Sequence, residues 1–538
     1  MTTLLPTFPT HDEIPEAARI DTSSFERTWL VNGEVRRWQG PTQEVRSPVC
    51  LRRADGTHER ALVGHLAALD EAAAREALGA ARRAWDDGRG TWPSMRVGER
   101  IARTERFVEG MKKVRETVVR LLMWEIGKTR KDAETEFDRT VQYIDDTLEA
   151  LKELDRTSGR FVVQEGFLAQ IRRSPLGTVL CMGPFNYPLN ETFTTLVPAL
   201  VMGNTIVSKL PRYGALLHLP LLEAFAEAFP PGVVNVVSGD GPTVVGPMMS
   251  SGQIDCLAFI GTSRVANLLT TQHPKPNRLR TITGLEAKNP AIILPDADLD
   301  VAVAECVGGA LTFNGQRCTA LKQIFVHRDV ADAFVPRFAE AVDALPAGMP
   351  WTSGAKLTPL PEDGKCARLA ELVADAESHG AVKVNRGGVA HETFYRPAVL
   401  HHVSPRARLY TEEQFGPIVP IATFDRDEEI DAFMRASSYG QQVALFGRDP
   451  KRMAGLVDAL VNQVSRINLN TQCRRGPDTF PFTGRKDSAE GTLSVSDALR
   501  AFSIRAVVAA TTNEANEKLV TDVVTGRLSS FLSTDFVF

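Results

Sequence analysis

Short apolar runs alternate with segments of helical periodicity through the middle of the chain. The runs that predict strands are GTVLCMGPF, which begins at residue 177, and then TIVSKL, VVNVVSG and CLAFIG. Between them, apolar residues recur at helical spacing in PLNETFTTLVPALVMGN, HLPLLEAFAEAF and GPTVVGPMMSS. Strands that alternate with helices in this way predict a parallel, doubly wound sheet. A second such series runs from Ala291 to about Gly447.

Helices are predicted on the N-terminal side of this region. The segment Ala68–Trp85 is rich in alanine, with apolar residues at helical spacing, and Arg96–Gly127 and Asp132–Leu154 also predict long amphipathic helices. Residues 160–177 alternate more regularly and predict a strand pair or an extended arm. The first 45 residues or so are rich in Thr and Pro and predict irregular structure.

Composition restricts the class of protein. Hydrophobic residues make up 43% of the 538 positions, charged residues 24%, and the net charge is −4, which is typical of a globular protein and argues against nucleic acid or an anionic membrane as partner. No N-terminal signal pattern and no apolar run of about 18 residues occurs, so we expect a cytoplasmic protein. The cysteines are widely spaced without a CxxC pair, which argues against disulfides or a bound metal; they are residues 50, 181, 256, 306, 318, 366 and 473.

Cys318 is the cysteine whose surroundings best suit a nucleophile. It follows Gly-Gln-Arg, and we expect the adjacent Arg317 to favour the thiolate. Cys473, next to Arg474 and Arg475, is the rival candidate. Most of the other cysteines lie in apolar segments that predict an inert, buried thiol.

Two strand ends carry glycine immediately before a predicted helix. They are the segments 238–242, Ser-Gly-Asp-Gly-Pro, and 259–263, Phe-Ile-Gly-Thr-Ser. Glycine at such a crossing lets a phosphate approach the backbone amides of the helix N-terminus, and in a doubly wound sheet nucleotides bind at these ends. Neither segment has the GxGxxG pattern, so both are equally compatible with ordinary turns.

A set of ordered motifs resembles the aldehyde dehydrogenase superfamily, and the resemblance extends from about residue 45 to the tail. The motifs are Pro184–Pro188 (PFNYP), Lys209, Phe259-x-Gly-Thr, Leu285–Pro290 (LEAKNP), Gly315–Cys318 (GQRC) and Glu413-x-Phe-Gly-Pro. Within the superfamily, PFNYPLNE, GQRCTA and RGPDTFPFTGRKDS are similar to the non-phosphorylating, NADP-dependent glyceraldehyde-3-phosphate dehydrogenases.

The resemblance implies a covalent mechanism. The Cys318 thiolate attacks the aldehyde carbon, and the Asn186 side-chain amide with the Cys318 backbone N–H stabilises the oxyanion. A hydride passes to the nicotinamide and leaves a thioester, which water hydrolyses with the help of a carboxylate. Read without the resemblance, Asn186 is a turn residue before Tyr-Pro.

The carboxylate that activates water is the point where this sequence departs from the superfamily, which usually has Leu-Glu-Leu-Gly-Gly-Lys. An ungapped alignment on Lys288 places Gly284 at the position of the base. A two-residue shortening places Glu286 there, and the preceding loop TQHPKPNRLR is long enough to offset it. We favour Glu286, with a base elsewhere as the alternative.

The cofactor expected from the resemblance is NADP, with NAD possible. Lys209 lies beside the adenosine ribose in the superfamily, and Arg212 stands where members that prefer NAD often carry Glu. A guanidinium pairs with a 2′-phosphate that a carboxylate would repel. Glu413 is expected to hold the nicotinamide ribose. The other cofactor-binding residues implied are Pro184, Phe185, Gly239, Gly241, Gly261, Thr262 and Phe415.

The substrate expected from the resemblance is a small phosphorylated aldehyde, D-glyceraldehyde 3-phosphate. The residues implied in binding it are Arg139, Tyr187, Arg317, Arg475 and Asp478. Each arginine alone is equally compatible with an ion pair, most clearly Arg139 beside Asp138. A semialdehyde or another acidic aldehyde, and a pseudoenzyme that only binds nucleotide, remain alternatives.

The resemblance implies an α/β fold with three parts. Residues 1–156 and 177–286 form a doubly wound, parallel-sheet cofactor domain, and residues 287–482 an α/β catalytic domain. Residues 157–176 and 483–538 form a small β oligomerisation arm with the C-terminal tail, through which we expect a homodimer or homotetramer.

Overall fold

The computed structural model describes residues 5–536, and two largely parallel sheets form its framework. The first sheet has eight strands, in the spatial order Glu34–Arg37, Thr28–Val31, Val234–Val237, Thr205–Lys209, Thr178–Met182, Cys256–Ile260, Arg280–Gly284 and Ala489–Glu490. Its five central strands are parallel and its edge strands antiparallel. The predicted doubly wound sheet is confirmed.

The first sheet reverses its winding between Thr178–Met182 and Cys256–Ile260. Successive strands are added on one side of Thr178–Met182 as far as Val234–Val237, and the next two, Cys256–Ile260 and Arg280–Gly284, on the other side. Helices therefore leave the two strands in opposite directions, and a crevice opens at their carboxyl ends. Such switch points bind ligands in open α/β sheets.

The second sheet has seven strands. Their spatial order is Val382–Lys383, Ala398–His401, Ile418–Phe424, Leu321–His327, Asn289–Ile293, Gln442–Phe446 and Arg466–Leu469. All pairs are parallel except the first. Cys318 lies three residues before Leu321–His327, at the amino end of that strand.

Helices cover both sheets. Their bounds are Glu71–Trp85, Val97–Lys113, Arg115–Ile126, Arg130–Ser158, Asn190–Val201, Leu222–Ala228, Gly241–Ser250, Ser263–Gln272, Leu299–Leu311, Arg328–Asp343, Lys365–Ser378, Asp427–Ala436, Pro450–Leu460, Val495–Ala501 and Glu514–Thr525. The long helix predicted over residues 96–127 is two helices, because Val114 leaves helical geometry with φ −104° and ψ 13°. Each half then packs against a different neighbour, Leu222–Ala228 or the 3₁₀ helix Leu216–Leu221.

The N-terminal region is more regular than its composition predicts. Thr28–Val31 and Glu34–Arg37 form a hairpin that extends the first sheet. Its turn, Asn32-Gly33, has φ values of 53° and 80°, which suits the Asn-Gly pair. The expectation of irregular structure there was wrong, since this short turn signal lay within a Thr- and Pro-rich segment.

Residues 157–176 contribute two strands to a separate three-stranded sheet, which we call the arm. It consists of Phe161–Gln164, Phe167–Pro175 and Ser503–Thr511, which confirms the predicted strand pair. The domain boundaries remain a proposal. Within the segment 483–538, Ala489–Glu490 pairs with the first sheet rather than with the arm.

The C-terminal tail folds back on its own chain. The Asp155 carboxylate accepts hydrogen bonds from the backbone N–H groups of Asp535 and Phe536, at 2.9 and 3.2 Å. The Asp535 carboxylate accepts one from the N–H of Gly98, at 2.9 Å. The last two residues of the predicted tail, Val537 and Phe538, lie outside the described residues.

None of the helices within residues 5–536 combines the length and the apolar character of a membrane-spanning segment. No group of three or more His, Cys, Asp or Glu side chains there could hold a metal ion.

Candidate active site

A cavity of about 720 Å³ lies at the switch point of the first sheet and reaches Cys318. Met182 to Tyr187 and Ile260 to Thr262 enter it from the two strands at the switch point. Of the predicted site residues, those that line the cavity are Cys318, Asn186, Glu286, Pro184, Phe185, Lys209, Arg212, Gly261, Thr262, Glu413, Phe415, Arg139, Tyr187, Arg317 and Arg475. Gly239, Gly241 and Asp478 lie outside its lining.

A tight turn carries Cys318, the predicted nucleophile, to the cavity wall; we call residues 313–318 the nucleophile loop. Phe313, Asn314 and Gly315 take successive positive φ values of 50°, 54° and 71°, a costly conformation for the first two residues. The Asn314 side chain secures the turn by hydrogen bonds to the backbone of Thr358, at 3.1 Å in both directions. Backbone strain of this kind is stored where a side chain must be presented, here the thiol of Cys318.

Two buried side chains fix the carbonyl of Cys318. The Asn289 amide donates to it at 2.8 Å, and the Lys322 ammonium at 2.9 Å. Lys322 also pairs with Glu413, whose carboxylate accepts a hydrogen bond from the N–H of Ala287 at 3.1 Å. Glu413 therefore joins the cavity wall to the nucleophile loop through Lys322.

The electrostatic surroundings of the thiol differ from the prediction. Burial raises the pKa of Cys318, and the Glu191 carboxylate raises it further, whereas Lys322 and Arg475 lower it. Arg317, the predicted cause of thiolate formation, points elsewhere. Its guanidinium donates to the carbonyls of Gly308 and Gly309 at 3.1 and 2.7 Å. The expectation that Arg317 favours the thiolate was wrong, because its guanidinium is held by these carbonyls and the charges that shift the pKa of Cys318 are those of Glu191, Lys322 and Arg475.

Asn186 meets the nucleophile loop from the opposite side. Its side-chain amide donates a hydrogen bond to the carbonyl of Gln316 at 2.8 Å, and within residues 5–536 it makes no other hydrogen bond. Within residues 5–536, the backbone N–H of Cys318 donates no hydrogen bond. These are the two N–H donors that the family resemblance predicts for an oxyanion site.

A buried ion pair that the sequence reasoning missed supports Asn186. The Glu136 carboxylate accepts hydrogen bonds from the N–H groups of Leu189 and Asn190 at 3.0 and 3.1 Å, and it pairs with Lys128. The Lys128 ammonium lies 3.3 Å from the ring centroid of Tyr187. The sequence carries one signal for this buried pair, because Glu136 falls on the apolar face of the helix Arg130–Ser158.

Glu286 lines the cavity, but its carboxylate is engaged. It accepts a hydrogen bond of 2.8 Å from the N–H of Ser263, the first residue of the helix Ser263–Gln272. Gly284, at the position given to the base by an ungapped alignment, ends its strand opposite Ile260. A role of Glu286 as base would therefore use its other oxygen, Oε1, or a carboxylate that has left the helix N-terminus.

The far end of the cavity suits a dinucleotide. Gly261 and Thr262 precede a helix whose N-terminal amide already binds a carboxylate, so it is an anion site. Burial lowers the pKa of Lys209 to about 8, partly offset by Asp240. Arg212 is exposed and pairs with Asp363 at 3.1 Å. These groups fit the charges of a pyrophosphate and a ribose phosphate.

Two of the three arginines predicted to bind substrate, Arg139 and Arg475, take part in one chain of ion pairs. The Asp478 carboxylate accepts hydrogen bonds from Arg139 at 2.8 and 2.7 Å and from Arg475 at 3.1 Å. Arg475 also pairs with Glu191, another cavity residue that the sequence reasoning missed. Asp138, expected beside Arg139, pairs with Arg115 instead.

The chain belongs to the aldehyde dehydrogenase family, whose model matches residues 54–508. The predicted resemblance and the α/β fold of that family are thereby confirmed. Among named proteins, the chain is similar to the NADP-dependent glyceraldehyde-3-phosphate dehydrogenases of Streptococcus equinus and Pisum sativum. The first is 33% identical over 76% of this chain and 86% of the relative, and the second 30% identical over 76% and 82%.

Solved structures agree with this assignment. The NADP-dependent glyceraldehyde-3-phosphate dehydrogenase of Bacillus halodurans C-125, complexed with NADP, has a TM-score of 0.83 and 30% identity, and the match covers 91% of this chain and 100% of that one. A succinate-semialdehyde dehydrogenase of Burkholderia pseudomallei has a TM-score of 0.82 and 27% identity, with 91% and 99% covered. The fold is thus shared by relatives that are named for different aldehydes.

Proposed function

We propose that this protein is an NADP-dependent aldehyde dehydrogenase that oxidises D-glyceraldehyde 3-phosphate irreversibly to 3-phosphoglycerate. The observation that carries this proposal is a single cavity with Cys318 and Asn186 at its centre. The same cavity is lined by two cations expected to bind the cofactor, Lys209 and Arg212, and by two expected to bind the substrate, Arg139 and Arg475. The similarity to NADP-dependent glyceraldehyde-3-phosphate dehydrogenases supports both the proposed cofactor and the proposed substrate.

The residues of the cavity support a two-stage reaction. The Cys318 thiolate adds to the aldehyde carbon, and the oxyanion accepts hydrogen bonds from the Asn186 amide and the Cys318 N–H. NADP⁺, when bound, supplies the acceptor for the hydride that leaves this carbon. Water then attacks the Cys318 thioester, loses a proton to a carboxylate, for which we propose Glu286, and releases the acid and the free thiol.

A different acidic or uncharged aldehyde is the second candidate substrate. Arg139, Arg475, Asp478 and Glu191 carry two positive and two negative charges, so the ion pairs already balance each other. A phosphate dianion would have to displace Glu191 from Arg475. This favours a test with several aldehydes rather than with one.

Rapid-mixing measurement of NADPH tests the proposal. With NADP⁺ and D-glyceraldehyde 3-phosphate, and without inorganic phosphate, we expect a burst of one NADPH per active site followed by steady turnover. Cys318→Ser should abolish both, whereas the matched control Cys366→Ser, outside the cavity lining, should retain both. Turnover of a semialdehyde but not of the triose phosphate would defeat the substrate assignment, and a failure of every aldehyde would defeat the enzyme assignment.

We also propose a homodimer or homotetramer that assembles through the arm. Val163, Phe167 and Val507 on the arm are 65%, 52% and 59% exposed, which is unusual for apolar side chains in neighbouring strands. Analytical ultracentrifugation of the wild type and of Val163→Lys tests this proposal. The cytoplasmic location expected from the sequence stays a prediction.

A further inference from the structure

We propose that Glu191 recognises a hydroxyl group on the carbon next to the aldehyde, so that the cavity selects 2-hydroxyaldehydes. This inference rests on the proposed oxidation at Cys318, but not on a phosphate group in the substrate. D-Glyceraldehyde 3-phosphate is one member of this substrate class.

Glu191 is held rigidly on the same segment as Asn186. It lies in the first turn of the helix Asn190–Val201, and its N–H donates to the carbonyl of Tyr187 at 3.0 Å. It lines the cavity together with Cys318, and its side chain is 10% exposed. A carboxylate fixed in this way reaches a substrate without losing much side-chain entropy.

The two oxygens of the carboxylate have different surroundings. Oε2 accepts a hydrogen bond from Arg475. Within residues 5–536, Oε1 has no hydrogen-bond partner. It is also not one of the fully buried polar atoms that lack a partner, so it is accessible from the cavity that Glu191 lines. One anchored oxygen and one free oxygen form an acceptor that is ready for a ligand.

The position of Glu191 makes the Cys318 thiolate harder to form. Of the charged groups around the thiol, Glu191 has the largest effect, and it raises the pKa of Cys318. It also neutralises Arg475, the cation predicted to bind phosphate. A buried carboxylate that opposes both functions is explained if it contacts the substrate directly.

The chemistry of the site selects the donor. A carboxylate accepts hydrogen bonds from a hydroxyl or an ammonium group, and Arg475 beside it repels an ammonium group. A hydroxyl is therefore the donor that fits. Because Glu191 lines the same cavity as Cys318, the 2-hydroxyl is the first hydroxyl that a substrate bound at the thiol can present to it.

Comparison of lactaldehyde with propionaldehyde tests the inference, since these two aldehydes differ only in the 2-hydroxyl group. A hydrogen bond to a charged group corresponds to about 10- to 150-fold in kcat/KM. We expect the wild type to prefer lactaldehyde by at least about tenfold, and Glu191→Met to reduce the ratio to near one. Glu191→Gln keeps a hydrogen bond to Arg475 but loses the charge, so its ratio should be intermediate. The exposed Glu340→Gln is the matched control.

A binding measurement without turnover accompanies the kinetics. Lactaldehyde should protect Cys318 from iodoacetamide at lower concentrations than propionaldehyde, and Glu191→Met should remove the difference. Equal protection and equal kcat/KM in the wild type would overturn the inference. So would a Glu191→Gln enzyme that keeps its NADPH burst and loses steady turnover of both aldehydes alike, because Glu191 would then be the hydrolytic base.

The proposed function is tested separately by the ratio of glyceraldehyde 3-phosphate to glyceraldehyde. Both compounds carry the 2-hydroxyl, so this ratio reports the phosphate alone. A wild type that prefers lactaldehyde to propionaldehyde but does not prefer the phosphorylated triose supports the inference and contradicts the proposed substrate.

Discussion

The side-chain amide of Asn186 donates a hydrogen bond to the backbone carbonyl of Gln316, 2.8 Å away, two residues before Cys318. This contact joins a loop at the carboxyl edge of the first sheet to the nucleophile loop of the second. The proposed oxyanion site therefore depends on how the two sheets pack together, and not on either sheet alone.

Asn186→Ala should lower the rate of the NADPH burst by about 10²- to 10³-fold, the usual effect of removing one oxyanion donor. The exposed Asn267→Ala is the control and should leave the burst unchanged. Stopped-flow absorbance at saturating aldehyde measures both variants. An Asn186→Ala burst at the wild-type rate would remove the amide from the oxyanion site.

Lys322→Met should make Cys318 less reactive at neutral pH, because Lys322 lowers the pKa of the thiol. The thiolate is the reactive form, so the pH profile of iodoacetamide alkylation should move to higher pH. Arg317→Met is the contrast: its guanidinium bonds to the carbonyls of Gly308 and Gly309 and should leave the midpoint of the profile in place. A profile that moves only in Arg317→Met would restore the interpretation made from the sequence.

The sequence predicted the residues that face the cavity better than the contacts that adjust them. Cys318, Asn186 and Lys209 follow recognisable motifs at the ends of strands, and all three line the cavity. Two residues that shift the pKa of Cys318 carry no such motif. Glu191 lies 127 residues before Cys318, and Lys322 lies at the start of the strand that follows it. Their effect depends on side-chain direction and burial, neither of which is encoded in local periodicity.

Arg317 and Arg139 show the same limit for charged residues. Both line the cavity, as expected from the sequence, and their role in substrate binding stays a prediction. The sequence could not indicate that Arg317 is bound to backbone carbonyls, or that Arg139 pairs with Asp478, 339 positions away. Partners of buried cations are set by tertiary packing, and neighbours in sequence are a poor guide to them.

The affinity for NADP⁺ should depend on pH through Lys209. Burial lowers the pKa of its ammonium group to about 8. Below that pH the group is charged and attracts the cofactor phosphate; as the pH rises above about 8 the charge is lost. The dissociation constant should then rise by up to about tenfold per pH unit. Fluorescence titration with NADP⁺ between pH 6.5 and 9.5 measures this rise, and Lys209→Met should bind weakly and show no such step.

Glu286→Gln should separate the two stages of the reaction. The amide oxygen keeps the hydrogen bond to the N–H of Ser263, but the side chain no longer accepts a proton. We expect a normal NADPH burst and a steady-state rate lower by about 10²- to 10⁴-fold. If burst and steady rate fall together, Glu286 serves the cofactor site at the helix N-terminus. If neither falls, the base lies elsewhere in the cavity.

The buried pair of Asp155 and Arg172 should be the main anchor of the C-terminal tail. Asp155 also binds the N–H groups of Asp535 and Phe536, and the guanidinium of Arg172 donates to the carbonyl of Ser533 at 2.9 Å. Asp155→Ala leaves a buried guanidinium without its counter-ion, and it should lower the free energy of unfolding by about 3–5 kcal/mol. Asp535→Ala removes more exposed pairs with Arg96 and Arg527 and should cost about 1 kcal/mol. Urea unfolding followed by circular dichroism measures both. An equal loss in the two variants would mean that the tail is held by its own charges rather than by the interior pair.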